Sequence, residues 1–119
     1  MIKLVCFINR KPGMSMEAFK AYYEQHHVPL ISRLMPFWQD YRRNFMEDTE
    51  HRAAHAEPGR ANERLFDVMT ELTFETAEMH RKCLDALADP VIGKLVAEDE
   101  AKFMDRASMH TFLVDERRS

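Results

Sequence analysis

The chain has 119 residues, 45% of them hydrophobic and 31% charged, with 17 basic against 20 acidic side chains. That length suits one compact domain, the composition lies far from disordered or fibrous chains, and no block of one charge sign would recruit nucleic acid or an anionic membrane. No stretch nears the roughly 20 apolar residues needed to span a bilayer, and the N-terminal apolar run stops at Asn9, Arg10 and Lys11. A cytoplasmic protein is therefore expected, with Cys6 and Cys83 as small buried hydrophobes rather than disulfide partners.

Residues 2–8, IKLVCFI, read as a strand that runs into the turn Lys11-Pro12-Gly13. Ser15 then caps a helix with Glu17 in its first turn, favourably placed against the helix dipole. At about 100° per residue, Met16, Phe19, Tyr23, Leu30 and Leu34 share one stripe, so the helix lies on a core and its stripe continues past Pro29. Pro29 has no N–H to bond the Gln25 carbonyl and discourages helical geometry at Val28, so a kink or break is expected beside His26 and His27. Pro36 ends the segment.

Residues 37–46, FWQDYRRNFM, are aromatic-rich and read as a second strand. Residues 47–64 hold almost no large apolar side chain and contain Pro58-Gly59, the pattern of a long polar loop that covers something. FDVMTELTF, residues 66–74, alternates with a period of two and is a third strand on which Asp67 and Glu71 share one side. Thr76 caps a second helix carrying Met79, Cys83 and Leu87, and Asp89-Pro90 opens a further helical stretch through Phe103. Residues 109–114 close the chain as a fourth strand.

The order is β-α-β-β-α-β with an added short helix, an α+β ferredoxin-like sandwich with an antiparallel four-stranded sheet covered by helices on one face. The uncovered face carries large apolar side chains, so a second copy packed sheet to sheet is expected, making a homodimer.

Three blocks of this single domain resemble the EthD-domain family of dimeric α/β-barrel proteins. The start, MIKLVCFINRKPGMSMEAFKAYYEQHHVPL, is similar to the family's opening strand, its Lys-Pro-Gly turn and an aromatic helix ending in His-x-Pro-Leu. FDVMTELTF resembles its third strand, with Asp67 and Glu71 at acidic positions. ADPVIGKLVAEDEAKFMDRASMHTFLVDE resembles its closing helix and strand, with Asp105 and Arg106 in the linking turn. Tyr23 and Leu72 stand where tryptophan is common, and His110 replaces a basic or polar residue. The resemblance implies a role in catabolism or in dehydratase or cyclase steps on aromatic polyketides, that is, lyase or isomerase chemistry. Relatives of the same barrel include cofactor-free monooxygenases and lactone isomerases.

On a straight helix His26 and His27 flank the stripe by about 50° each, so periodicity leaves open which faces inward; the resemblance chooses His27. An imidazole titrates near neutrality and suits proton transfer, and the alternative is a ring that only caps a carbonyl freed by Pro29. Asp67 and Glu71 either act as acid or base or form structural salt bridges with Lys3 or Arg43. His27, Asp67, Glu71 and His110 are the candidate catalytic set, with Tyr23, Phe7, Tyr41, Asn44 and Met69 as candidate substrate contacts. Tyr41 and Asn44, three apart on a strand, face opposite sides. His51 and His55 have chelating spacing near Glu47, but in a polar loop they read as solvated surface, so no metal is expected. No phosphate loop, nucleophile elbow or dinucleotide fingerprint occurs, so no cofactor of that kind is expected.

The expectation is therefore a cofactor-independent enzyme that dehydrates, cyclises or isomerises a small hydrophobic, aromatic or polyketide-like molecule in a largely apolar pocket. The pocket is expected between sheet and helices or under the 47–64 loop. The rivals are cofactor-free oxygenation and a non-enzymatic accessory protein holding a small molecule or haem, with His27 or His110 as axial ligand.

Overall fold

The computed structural model describes residues 1–47 and 64–119. Four strands form one antiparallel sheet: β1 (Ile2–Ile8), β2 (Asp40–Phe45), β3 (Val68–Phe74) and β4 (His110–Val114), in the order β2-β3-β1-β4. Between them lie α1 (Met16–Tyr22), a π-helical turn (Tyr23–His27), α2 (Val28–Leu34), α3 (Ala77–Ala88) and α4 (Pro90–Glu100). A short 3-10 turn, Arg106–Ser108, leads into β4. The second strand is shorter than its aromatic run suggests, because Phe37 and Trp38 turn into the core beside Met35 instead of pairing. Helix α4 ends at Glu100, three residues before Phe103, in a turn that delivers Phe103 fully buried to the core.

The helix starts follow from their caps. Ser15 Oγ accepts from the Ala18 N–H, Thr76 Oγ1 from the Met79 N–H, and Asp89 Oδ2 from both Val91 and Ile92 N–H groups. Each side chain satisfies a donor that the first helical turn leaves without a backbone partner.

The proline does not break the first helix. Val28 N–H donates to the Tyr23 carbonyl, five residues back, so one extra residue is absorbed in a π turn and Pro29 falls in the first turn of α2, where no N–H is required. One inserted residue rotates everything after it by about 100°. The apolar stripe consequently resumes one position later than a straight helix would have it. Ile31 and Met35 are buried, while Leu30 and Leu34 are only half-buried.

Strand alternation sets the two faces of the sheet. Ile2, Leu4, Cys6 and Ile8 of β1, with Val68, Thr70, Leu72 and Phe74 of β3, meet the helices in two adjoining clusters. The first is built on Phe19, Tyr23 and Phe103, and the second on Ile31, Met35, Cys83 and Val96. On α3 the buried positions are Cys83 and Ala86, whereas Leu87 is 43% exposed. Among the described residues no helix covers the opposite face, where Phe7 packs on Phe66 and Phe112 and where Phe112 is 52% exposed. Among the described residues no helix is long and apolar enough to cross a membrane.

Candidate functional site

Because Phe19, Tyr23, His27 and Ile31 follow one another at four-residue spacing, they would spiral away from the core on a straight α-helix. The π turn keeps all four inward, and His27 is 3% exposed. Its neighbour His26 points out and stacks on Tyr22, with ring centroids 4.9 Å apart.

His27 Nδ1 lies 2.8 Å from Asp99 Oδ2, and the other Asp99 oxygen accepts a 2.6 Å bond from the Tyr22 hydroxyl. The imidazole packs between Phe103 and Tyr23, at 4.8 and 5.5 Å between ring centroids. Burial lowers its pKa, and Asp99 opposes this less strongly, so the neutral ring is favoured. A neutral imidazole beside a carboxylate places its proton on Nδ1 as donor, which leaves the Nε2 lone pair as the available base.

His27 lines a cavity of about 160 Å³ between the sheet and the helices. The floor is Leu4, Cys6, Ile8, Tyr41, Thr70 and Leu72; Tyr23, Ile31 and Met35 form one wall, and Cys83, Leu87, Val96 and Glu100 another. Exposed Leu87 and Thr111 mark the side that meets solvent. A cavity of about 150 Å³ lined by aliphatic and aromatic groups takes benzene, so this one matches a single aromatic ring.

The polar groups in the wall are few and paired. Tyr41 OH donates to Tyr23 OH at 3.0 Å, and the Tyr23 and Thr70 hydroxyls are 2.7 Å apart. Burial pushes the Tyr23 phenol up to about 12 and Tyr41 well above its ordinary value, so both remain hydroxyl donors rather than bases. Burial also raises Cys6, and carries Cys83 up to about 11, which makes both thiols poor nucleophiles.

The sheet divides the residues singled out from the sequence. His27, Tyr23 and Tyr41 share the cavity. Glu71, His110, Phe7, Asn44 and Met69 fall on the opposite face, as the strand register requires. Glu71 is held 2.7 Å from Lys3 Nζ and accepts from Asn44 Nδ2 at 3.0 Å; the Lys3 bond keeps its carboxyl below the ordinary value and makes it a weak base. His110 is exposed and stacked with Phe112. Asp67 accepts the Arg10 backbone N–H at 2.8 Å and lies near Arg64, which ties the end of β1 to the start of β3. The four proposed acid/base residues thus do not converge on one site.

Arg43 pairs with Glu24, not with either strand acid. A larger groove of about 480 Å³ beside Lys3, Arg42, Thr73 and Glu116 has charged walls at the end of the open face and contains no buried base. Among the described residues no group of three or more His, Cys, Asp or Glu could hold a metal ion; His51 and His55 lie outside the described residues.

Asp99 and Glu100 are the site residues that sequence reasoning missed. They sit in the polar run Ala97-Glu98-Asp99-Glu100-Ala101. Their one signal is position, since Asp99 and Phe103 share a helical face four residues apart.

An α+β layer with helices on one face of a β2-β3-β1-β4 sheet, enclosing a buried imidazole in an apolar cavity, defines the architectural class. The EthD domain family model matches residues 11–107, and the chain belongs to that family. The same fold occurs in an ethyl tert-butyl ether D (EthD) family protein of Bacillus halodurans C-125, with a TM-score of 0.62 at 20% identity over 98% of this chain and 100% of that one. The Arabidopsis thaliana protein At3g17210 aligns with a TM-score of 0.63 at 13% identity, over 100% of this chain and 98% of that one. No curated protein matches the sequence.

Proposed function

We propose that this protein is a cofactor-independent enzyme that uses His27 as a base on a small, hydrophobic, one-ring aromatic or polyketide-like substrate, in the dehydration, cyclisation or isomerisation class. The observation that carries this reading is the buried His27–Asp99 pair on the wall of an apolar cavity. A base that is neutral, oriented by a carboxylate and partly screened from water needs little else to take a proton from carbon. The cavity volume favours one ring over a haem macrocycle.

In this reading Tyr23 and Tyr41 contact the substrate. Glu71, His110, Phe7, Asn44 and Met69 belong to the face that a second copy covers in a cytoplasmic homodimer. The apolar side chains left open on that face support the dimer.

The test uses 1,2-benzisoxazole, which opens to 2-cyanophenol when a base removes its ring C–H proton. The protein accelerates this opening, and His27→Asn lowers the rate by roughly 100-fold or more. Equal rates for the two proteins would remove the base from His27.

A further inference from the structure

The last turn of α4 sends two successive carboxyl groups in different directions. Asp99 turns to Tyr22 and His27, while Glu100 lines the same cavity that His27 lines. The Glu100 carboxyl is largely buried, with 18% of its side chain exposed, and its one ion-pair partner among the described residues is Arg106, 3.2 Å away and half in solvent. That pair joins neighbouring segments only six residues apart. A carboxyl of this kind lining the same apolar cavity as an oriented imidazole is an arrangement that can separate acid from base in a two-proton reaction.

We propose that Glu100 is a second catalytic residue, the acid that gives its proton to a departing oxygen while His27 takes a proton from carbon. This rests on the reading of His27 as base and deepens it, since it selects elimination of water from a one-ring hydroxy compound. His27 Nε2 takes a proton from the carbon next to the one bearing the hydroxyl. The C–H electron pair becomes the new C=C bond, the C–O bond breaks towards oxygen, and that oxygen takes the Glu100 proton and leaves as water. A proton then returns from His27 to Glu100 through solvent, and the cycle closes with no oxidant or reductant.

The environment favours the acid form relative to an exposed glutamate. Burial raises the Glu100 pKa, helped by neighbouring Asp99, and Arg106 only partly offsets this. The titratable groups around it include Arg106 from the following turn, Asp99 beside it on α4, the Cys6 thiol from β1, and His27, Tyr23 and Tyr41, which line the same cavity.

The experiment uses phenol, one ring bearing one oxygen, with side-chain carbon NMR on protein labelled at glutamate and histidine and with Glu100→Gln to assign the resonance. Phenol is expected to move the Glu100 carboxyl and His27 ring signals together, with one dissociation constant. A His27 shift without a Glu100 shift would overturn the proposal and leave the base assignment standing. Movement of neither would remove both, because the cavity would then not be a site. In the benzisoxazole opening, whose N–O bond also breaks towards oxygen, Glu100→Gln is expected to cost roughly 100-fold, and Arg106→Gln little. Equal losses in both variants would assign the effect to the ion pair and refute the acid.

Discussion

His27 Nδ1 and Asp99 Oδ2, 72 positions apart in the chain, meet at 2.8 Å inside the core. The contact fixes which imidazole nitrogen carries the proton, and so which one faces chemistry. Asp99→Asn is expected to release that choice. The Nδ1 proton resonance of His27 should move upfield, and turnover of 1,2-benzisoxazole should fall at least about tenfold. An unmoved resonance would mean that Asp99 does not orient the ring. Asp99→Ala leaves a buried donor without its acceptor and should cost about 1–3 kcal/mol in urea unfolding.

The π turn is expected to be a local device that folding does not need. Gln25 is exposed within it, and deleting Gln25 should let the segment close into continuous α-helix. Ile31 and Met35 would keep their places in the core, because the deletion removes the residue that had shifted the stripe. Thermal stability should then hold or rise, while the His27 ring signals move away from their Asp99-bonded positions. A sharp loss of stability would show that the extra residue serves packing instead.

Stability should depend on pH in opposite senses at the two groups of the cavity. Glu100 has a folded-state pKa above its unfolded value, so the folded protein binds the extra proton between the two values and loses stability as pH rises through that window. Glu100→Gln should therefore melt higher than the natural protein at pH 7.5, with the gain shrinking as pH falls towards the unfolded value. His27 is lowered by burial, so its contribution is complete above its ordinary value of 6.5 and is lost as pH falls below it. His27→Asn should flatten the decline below that value. A Glu100→Gln variant that melts lower at pH 7.5 would show that the Arg106 pair outweighs the burial of charge.

The uncovered sheet face should carry the subunit contact. Light scattering is expected to give twice the 14.1 kDa chain mass at micromolar concentration. Phe112→Asp, at a side chain 52% exposed beside Phe7, should shift the protein towards the monomer without unfolding it. A monomer in the natural protein would leave the open face unexplained by self-association.

Wherever the physics is local, the sequence by itself determined the outcome. Ser15, Thr76 and Asp89 start their helices because a side-chain oxygen two or three residues away satisfies an N–H that has no partner within the helix. Strand alternation put Glu71 on the side away from Val68, Leu72 and Phe74, and set Tyr41 and Asn44 on opposite faces, because a pleated strand has no other geometry, whereas Asp67 falls just before β3, where alternation no longer places it. Periodicity left His26 and His27 open, and only the resemblance of the His-x-Pro element to the family pattern pointed to His27. Tertiary structure decided the rest. Whether Pro29 breaks the helix or is absorbed in a π turn depends on what Ile31 and Met35 find to pack against, a matter of Phe74, Cys83 and Val96 far along the chain. The partition of Glu71 and His110 from His27 follows from which sheet face the helices cover, and the choice of Asp99 as orienting carboxylate follows from the packing that brings α4 against Tyr22 and His27. Charge and spacing along one strand or helix carry no record of such meetings, because the burial that rewards them exists only once distant segments have packed together.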